Sequence, residues 1–409
     1  MEDSVFNNSS KLSVLLFVLA LSLRLILPAI GFSGEVSDSP TYLSEATGLI
    51  TGEGFINPQG HLTAFRPPVY PIFLAGILAI SGGKIVGVQI IQAIFYSLLA
   101  PIIFNFLLPL VKEKRAFFGA FIFAVDPASI PFTALILTEA IGAVMIFLWY
   151  LSWGRISRSG RVLEYIWSGL LSGILILNTM ITQLLQPLAL ILRMLFFRKE
   201  WLKIILCGMI FILPLTAWTV RNKTVLGEST AVKSAGFGFL LWATMNYDFP
   251  WLLNPYDKRG EYIFTQEKRV AKKFSPAEQH EIYFRKAVAR FRAEPALCVY
   301  RVMKASLWSW IDVPGAMKTL DDYPRIRLLL RIINVSILLI ALSGVPSAFK
   351  YREGRLAFGI ILYFAFFHAP LYPIPRYYLP IRPLLAVLCS FAFMNKFKPQ
   401  MNTNNTNHE

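Results

Sequence analysis

The chain has 409 residues, of which 55% are hydrophobic and 16% are charged, and its mean hydropathy is +0.54. Soluble domains are about half apolar and about a quarter charged, so this composition excludes an ordinary soluble protein and indicates an integral membrane protein. The net charge of +16 does not indicate nucleic-acid binding, because the Lys and Arg residues lie in short loops between apolar runs, where they orient a membrane protein.

The apolar runs are continuous and lack a period-two alternation, which predicts membrane helices and not a β-barrel. A spanning helix needs about 20 apolar residues, and somewhat fewer where its ends enter the interface. The first run follows an acidic and polar start, so we interpret it as a retained helix and not as a signal peptide. The segments that qualify are Lys11 to Ile30, Ile85 to Leu110, Ala116 to Phe132, Glu139 to Trp153, Val162 to Asn178, Thr182 to Phe197, Lys203 to Val220, Leu328 to Phe349, Arg355 to Phe367 and Leu379 to Phe393.

The short apolar stretch from Val69 to Ile80 decides the topology. If it spanned the membrane, the cluster from Lys112 to Arg115 would share a side with Asp38, and every later basic loop would also invert. If it is instead a re-entrant or interfacial helix on the outer side, the basic loops all lie in the cytoplasm, as the positive-inside rule predicts. These basic loops are 112–115, 155–161, 198–203, 350–355 and 396–398.

The fold class that we predict is an all-α polytopic membrane protein, a bundle of about 10–12 transmembrane helices with a small extracytoplasmic helical segment. A transmembrane module covers 1–220 and contains the first outer loop, 31–80. An extracytoplasmic or interfacial segment covers 221–327, C-terminal transmembrane helices cover 328–398, and a disordered tail covers 399–409. Within 221–327, the sequence Ser275-Pro276-Ala277-Glu278 predicts the start of a helix from Phe274 to Arg292, and the stretch from Ala296 to Ile311 predicts an interfacial helix.

The first outer loop carries the residues that most strongly indicate chemistry. It contains Asp38 and Tyr42, and it closes with Arg66-Pro67-Pro68 and with Tyr70. An acid and a cation just outside a bilayer are placed where a lipid-linked phosphate meets its acceptor.

This pattern resembles the first outer loop of the GT-C glycosyltransferases, specifically glycosyltransferase family 39 and its relatives, the protein O-mannosyltransferases and the lipid A aminoarabinose transferase. Those proteins carry an acidic residue four before a Tyr, and then a basic or His residue followed by Pro-Pro. The pair Arg221-Asn222 resembles the family's stretch where a helix emerges outside, and Arg376-Tyr377 resembles the motif that opens its late helix. The resemblance also assigns a second outer-loop acid to Glu139.

The resemblance implies a GT-C bundle that transfers a sugar from a polyprenyl phosphate to an acceptor on the extracytoplasmic face, with inversion. Asp38 is then the catalytic base that takes the proton of the acceptor hydroxyl, and Glu139 supports the base or contacts the donor. The phosphate is held by Arg66, Arg221 and Arg376, because guanidinium groups neutralise its charge with paired hydrogen bonds. The supporting residues are Tyr42, Tyr70, Asn222, Tyr377 and His368.

Other interpretations of the first outer loop stay open at this point. Asp38 also suits the cap of a helix from Pro40 to Ile50, and Arg66 also suits a side chain that only extends toward the interface. Glu35 competes with Asp38 for the acid role, and Tyr42 also suits simple packing.

The other candidate residues have structural alternatives as well. Glu139 also suits the favourable placement of an acid at a helix N-terminus, an interpretation that is compatible with a functional role. Arg221 equally suits the anchoring of a helix end, and His368 suits a packed polar residue. Asp126 matches no acid of the family pattern.

The sequence contains no Gly-rich phosphate loop, Walker pattern or Cys/His cluster, so a nucleotide-sugar donor is not supported. No cofactor is predicted with certainty, and a divalent cation stays open. The expected partners are an isoprenyl-phosphate sugar donor, a lipid, glycan or protein acceptor, and membrane lipids, and the expected location is the bacterial inner membrane. The alternative function is a transporter or flippase of lipid-linked sugars, and a third is a non-catalytic assembly subunit.

Overall fold

The structure is a computed structural model that describes residues 2–36, 38–227, 237–246, 269–270, 276–312, 323–368 and 375–392. Helices dominate these residues, which contain no β-strand beyond a single backbone bridge between Ile56 and Leu62. Helices suit a lipid environment because they satisfy every backbone polar group within one segment. The predicted all-α polytopic membrane protein is therefore confirmed.

The helices are numbered here in chain order. They are α1 (Glu2–Ala29), α2 (Ser39–Thr51), α3 (Val69–Ile80), α4 (Ile85–Ser97), α5 (Leu99–Leu107), α6 (Glu113–Ala124), α7 (Ile130–Ala134), α8 (Glu139–Ser159), α9 (Val162–Ile176), α10 (Leu185–Phe196), α11 (Trp201–Leu226), α12 (Phe237–Asn246), α13 (Pro276–Ala293), α14 (Pro295–Ile311), α15 (Pro324–Ala348), α16 (Arg352–His368) and α17 (Arg382–Cys389). Short 3₁₀ helices cover Met180–Thr182, Arg198–Glu200 and Pro375–Ile381.

Five stretches of the described chain are long and apolar enough to cross a membrane: Ser9–Ala29, Ile85–Leu107, Glu139–Ser159, Arg198–Leu226 and Pro324–Ala348. In α8, 61% of the most apolar window is buried, whereas only 22% is buried in the windows of α1, α11 and α15. Helix α8 is therefore an inner helix of the bundle. The other three expose broad apolar faces of the kind that contact lipid.

Several predicted spans are shorter or interrupted in the structure. The predicted span from Ala116 to Phe132 consists of α6 and the short α7, separated by a turn that contains Pro127. Proline has no backbone N–H, so one hydrogen bond of a helical ladder is missing at Pro127, and a break there is favoured. The predicted span from Leu379 to Phe393 likewise divides into a 3₁₀ helix and α17. Two other predicted spans form shorter apolar helices, at Val162–Ile176 and Met180–Phe196.

Three glycines allow helices to approach closely. A Cβ at Gly169 would lie 2.5 Å from the carbonyl oxygen of Cys207, where α9 meets α11. A Cβ at Gly344 would lie 2.1 Å from the carbonyl oxygen of Leu388, where α15 meets α17. A Cβ at Gly119 would lie 2.6 Å from the carbonyl oxygen of Ala386, where α6 meets α17. Small residues at such crossings are typical of membrane bundles, because the helices associate by close packing.

Two predicted helices of the long segment before α15 are present, while the interfacial placement of the second stays a prediction. Helix α13 covers the helix predicted from Phe274, although its predicted cap Ser275 lies outside the described residues. Helix α14 covers the stretch predicted from Ala296 to Ile311. Its Trp310 ring packs against Tyr378 with 4.2 Å between ring centroids, so α14 supports the 3₁₀ helix Pro375–Ile381.

Candidate active site

Asp38 is the centre of the candidate site. It precedes α2 at the position of a helix cap, and α2 confirms the helix predicted after it, but the Asp38 side chain makes no capping hydrogen bond. Its two oxygens instead accept hydrogen bonds from Arg66 Nη2 at 2.9 Å and from Arg376 Nη2 at 2.8 Å. The structure therefore contradicts two of the alternatives, that Asp38 caps α2 and that Arg66 only extends toward the interface.

The two arginines determine the ionisation of Asp38. Burial acts to raise the pKa of its carboxyl group, but the charges and hydrogen bonds of Arg376 and Arg66 outweigh burial and hold the pKa below its ordinary value. Because its pKa is lowered, Asp38 is ionised at neutral pH. Its side chain is 26% exposed, so the carboxylate is also accessible. An accessible carboxylate is able to accept a proton from a neighbouring group.

Two tyrosines support Arg66. The Arg66 guanidinium lies over the Tyr42 ring at 4.7 Å from its centroid, and Tyr42 meets Tyr70 edge to face with 5.1 Å between ring centroids. Both tyrosines are buried. The loop ends on Pro67 and Pro68, and the backbone N–H of the next residue, Val69, donates to the Leu177 carbonyl at 3.0 Å. The first outer loop is therefore fixed to the bundle immediately after Arg66.

Glu139 and Arg376 complete a four-residue charge cluster. Glu139 is the first residue of α8, and its Oε1 lies 3.5 Å from Arg376 Nε. Only 6% of Glu139 is exposed, and its Oε2 has no hydrogen-bond partner in the part of the chain that the structure describes. Arg376 also lies over the ring of Tyr377, at 5.1 Å from the centroid. Asp38, Arg66, Glu139 and Arg376 are therefore brought together from three distant parts of the sequence, and we call them the charge cluster.

The segment before Glu139 is fixed by side chains that sequence reasoning missed. Gln92 Nε2 donates to the carbonyl oxygens of Thr133 at 3.0 Å and Leu135 at 2.9 Å, and Tyr70 donates to Gln92 Oε1 at 2.8 Å. Gln89 Nε2 donates to the Ala134 carbonyl at 2.9 Å. The available signal was the pair of amides within the otherwise apolar α4, because polar groups in a spanning helix usually have a specific partner.

Among its described contacts, Arg221 touches no member of the charge cluster, but it contacts the same loop. Its Nη1 donates to the Thr63 carbonyl at 2.9 Å and to Asn222 Oδ1 at 3.1 Å. Its guanidinium lies 5.0 Å from the ring centroids of Phe55 and Trp218. The described contacts of Arg221 therefore fix the first outer loop to the end of α11, and its role in phosphate binding stays a prediction.

Glu45 is a further residue that sequence reasoning missed. It lies on the inner face of α2, one turn after Tyr42, and its side chain is fully buried. Burial raises its pKa to about 8, although the Arg66 and Arg221 charges act in the opposite direction. The available signal in the sequence was helical spacing. Tyr42, Glu45 and Ala46 are spaced so that they lie on one face of α2, which predicts that the acid shares a buried face with Tyr42 and Ala46.

The remaining predicted residues have simple placements. Glu35, the competitor for the acid role, is exposed. His368 is the last residue of α16, and its side chain lies outside the described residues. Asp126 accepts hydrogen bonds from Arg382 in the interior of the bundle, including one from Nε at 2.8 Å. In the described ranges, no group of three or more His, Cys, Asp or Glu residues has the arrangement of a metal site.

The fold and the charge cluster define a polytopic membrane protein with an accessible acid held by two arginines. Residues 65–218 match the family model of the dolichyl-phosphate-mannose-protein mannosyltransferases. Over this part of the chain, the match confirms the predicted resemblance to glycosyltransferase family 39. No curated protein matches the chain. The matched range includes Arg66 and Glu139 but not Asp38, Arg221 or Arg376.

Proposed function

We propose that the protein transfers a sugar from a polyprenyl-phosphate donor to an acceptor hydroxyl group, with inversion at the anomeric carbon. The observation that carries this proposal is the Asp38 carboxylate, accessible and held between Arg66 and Arg376, with Glu139 next to Arg376. A proton acceptor and two phosphate-binding cations at one point are the groups that such a transfer requires.

Each step of the transfer has a residue in this cluster. Asp38 takes the proton of the acceptor hydroxyl as its oxygen forms a bond to the anomeric carbon. The bond between the anomeric carbon and the phosphate oxygen breaks, and its electron pair leaves with the polyprenyl phosphate. Arg66 and Arg376 stabilise the negative charge that develops on this leaving group. Glu139 holds the Arg376 side chain through its 3.5 Å contact.

Donor binding also prepares Asp38 for its role. In the structure both arginines donate to Asp38 and lower its pKa, which makes its carboxylate a weak base. A donor phosphate that shares the two guanidinium groups weakens their hold on Asp38. The pKa of Asp38 then rises, so the carboxylate becomes a stronger base when the donor is in place.

The arrangement of basic residues supports an extracytoplasmic site. Helix α8 begins at Glu139 and has 21 residues, so its far end lies about 31 Å away. At that far end Arg158 pairs with Glu353 at 2.7 Å, and Lys203 donates to the Gly160 carbonyl at 2.7 Å. Cytoplasmic loops carry the excess of Lys and Arg, so the charge cluster at the opposite end is expected outside the cytoplasm.

The direct test is incubation of the purified protein in detergent with a panel of polyprenyl-phosphate sugars and candidate acceptors. We expect release of polyprenyl phosphate together with a glycosylated acceptor, and NMR of the product is expected to show the anomeric configuration opposite to that of the donor. Retained configuration would refute the inverting mechanism. If no donor turns over while the same lipids cross vesicles that contain the protein, the transporter alternative replaces this proposal.

The side of the membrane is tested separately by cysteine labelling. The three native cysteines, Cys207, Cys298 and Cys389, are buried, which lowers the background. Glu35→Cys and Lys112→Cys each place a thiol at an exposed position, near the charge cluster and in a basic loop, respectively. A membrane-impermeant maleimide is expected to label only the first in intact cells and both in open membranes. Labelling of only the second would reverse the proposed orientation.

A further inference from the structure

Glu45 is a buried acid that receives no hydrogen bond from a side chain among the described residues. Its side chain is fully buried, and the donor near its carboxyl group is the backbone N–H of Arg66. Buried polar groups in proteins are nearly always hydrogen-bonded, because an unpaired buried carboxylate is strongly disfavoured. An acid kept in such a place is a candidate for a functional role.

The cations that act on Glu45 are two of the proposed phosphate-binding arginines. Arg66 and Arg221 attract its carboxylate from the loop before α3 and from the end of α11. Tyr42 precedes Glu45 by one turn of α2, and Asp38 lies at the cap position two turns before Glu45. Tyr70 of α3 packs against Tyr42. Glu45 is therefore the acid that links Arg221 electrostatically to Arg66 of the charge cluster.

The charge of Glu45 changes what the two arginines offer to a ligand. When Glu45 is protonated, Arg221 carries an uncompensated positive charge and Arg66 is shared with Asp38 alone. When the Glu45 proton leaves to solvent, the new carboxylate attracts both arginines in a buried environment, where such attractions are strong. A phosphate group and an ionised Glu45 therefore compete for the same cations.

We propose that Glu45 is a positioning residue that admits a phosphodiester monoanion to Arg66 and Arg221 in its protonated form and excludes that anion when ionised. This inference rests on the proposed function, because a sugar joined to a lipid by one phosphate is such a phosphodiester. It also gives Arg221 a part in donor binding, although none of its described contacts is to the charge cluster. Binding of the donor is then coupled to the retention of one proton on Glu45.

The probe that tests the proposal is the methyl ester of farnesyl phosphate, a lipid phosphodiester without a sugar. A phosphodiester has no group that titrates near neutral or mildly alkaline pH, so any change in affinity over this range reports the protein. Burial raises the pKa of Glu45 to about 8. If the probe binds only when Glu45 is protonated, linkage predicts a pH-dependent affinity. The dissociation constant of the probe is then about tenfold larger at one pH unit above this pKa than at one pH unit below it.

Glu45→Gln and Glu53→Gln are the variant and its matched control. The amide that Glu45→Gln introduces has nearly the same shape as a protonated carboxyl group and does not ionise, so binding is expected to stay tight and to change by less than about twofold over the same pH range. Glu53 lies just after α2 and is exposed, so its variant is expected to follow the wild-type profile. A Glu45→Gln profile that matches the wild type would overturn the proposal, and so would an absence of probe binding to the wild type.

A second variant and a second ligand keep the result specific. Glu45→Asp retains a titratable group and is expected to keep a pH-dependent profile, which separates the effect of charge from a general loss of structure. Dimethyl phosphate has the same charge without the lipid tail. Its failure to displace the probe indicates a lipid-linked ligand, whereas equal displacement would overturn the assignment to a lipid phosphodiester.

The proposal and the proposed function fail in different ways. Sugar transfer that persists while Glu45→Gln keeps the wild-type pH profile would overturn the role of Glu45 and leave the transferase intact. Probe binding with the expected pH profile, without transfer from any donor, would support the role of Glu45 in phosphate binding and refute the transferase. The two measurements are therefore made on the same preparations.

Discussion

Replacement of Asp38 by asparagine is the sharpest test of the proposed chemistry. Asparagine keeps the size of the side chain and one carbonyl oxygen, but it cannot take the acceptor proton. General-base catalysis contributes about 10²–10⁴-fold, so we expect the Asp38→Asn variant to lose about 3–5 kcal/mol of transition-state stabilisation. The loss is expected in the rate of transfer and not in donor affinity.

The expected donor affinity follows from the two ion pairs of Asp38. Arg66 and Arg376 donate to its carboxylate at 2.9 and 2.8 Å, so removal of the negative charge leaves both cations more available to a phosphate. Donor binding in Asp38→Asn is therefore expected to equal or exceed that of the wild type. A loss of binding similar to the loss of rate would refute the assignment of Asp38 as a base.

Single-turnover transfer from a radiolabelled donor measures the rate, and equilibrium binding of the same donor measures the affinity. Glu35→Gln is the matched control, because Glu35 is an exposed acid three residues earlier in the same loop. We expect this control to stay within about twofold of the wild type, as most exposed substitutions do. If Asp38→Asn transfers within about tenfold of the wild-type rate while Glu139→Gln is inactive, the base is Glu139 and the reasoning about Asp38 is wrong.

Three further predictions test the support of the site. Gln92→Leu removes the hydrogen bonds to the Thr133 and Leu135 carbonyls, and the resulting displacement of Glu139 is expected to lower kcat by about 10- to 100-fold in steady-state transfer, with less effect on thermal unfolding. Asp126→Ala leaves Arg382 buried without its acid and is expected to cost about 3–5 kcal/mol of stability in chemical unfolding of the detergent-solubilised protein; a cost below about 1 kcal/mol would contradict a structural role. The third variant, Glu45→Gln, is expected to be more stable than the wild type by an amount that increases by about 1.4 kcal/mol per pH unit between the ordinary glutamate pKa and pH about 8. The reason is that, over this range, the folded wild type retains a proton that its unfolded chain loses. A stability difference that does not change with pH would contradict the raised pKa of Glu45.

Local sequence signals predicted several parts of this structure well. The apolar run length predicted α1, α8, α11 and α15, because a membrane span needs a fixed length of apolar residues. The pattern around Pro276 predicted α13, since proline favours the first turn of a helix. The convergence of Asp38 with Arg66 and Arg376 was predicted through the family resemblance. No local rule places residues 38 and 376 together, so that prediction came from motif order alone.

The parts that sequence reasoning missed are buried polar residues whose partners are distant in the chain. Gln92 binds backbone carbonyls about forty residues later, and nothing in the sequence of α4 identifies those carbonyls. Glu45 lies on a helix face whose period predicts packing, so its burial depends on how α2 packs against α3 and the loop at Arg66. The break of the predicted span at Pro127 shows a different limit. The sequence stays apolar through the turn between α6 and α7, so composition alone does not reveal it. At this turn Asp126 accepts a hydrogen bond from Arg382, which lies far away in the sequence.

The structure also explains why only one of two similar ion pairs belongs to a candidate active site. Asp38 with Arg376 and Asp126 with Arg382 both join an early segment to the late one, and the two arginines are six residues apart along the chain. In the Asp126 pair the side chains are 3% and 8% exposed, and Arg382 also donates to Asn334 Oδ1 at 2.6 Å, so protein groups satisfy it. In the Asp38 pair the side chains are 26% and 22% exposed. A satisfied buried pair stabilises the packing of α17, whereas a partly exposed pair is able to accept a phosphate without losing any fully buried hydrogen bond.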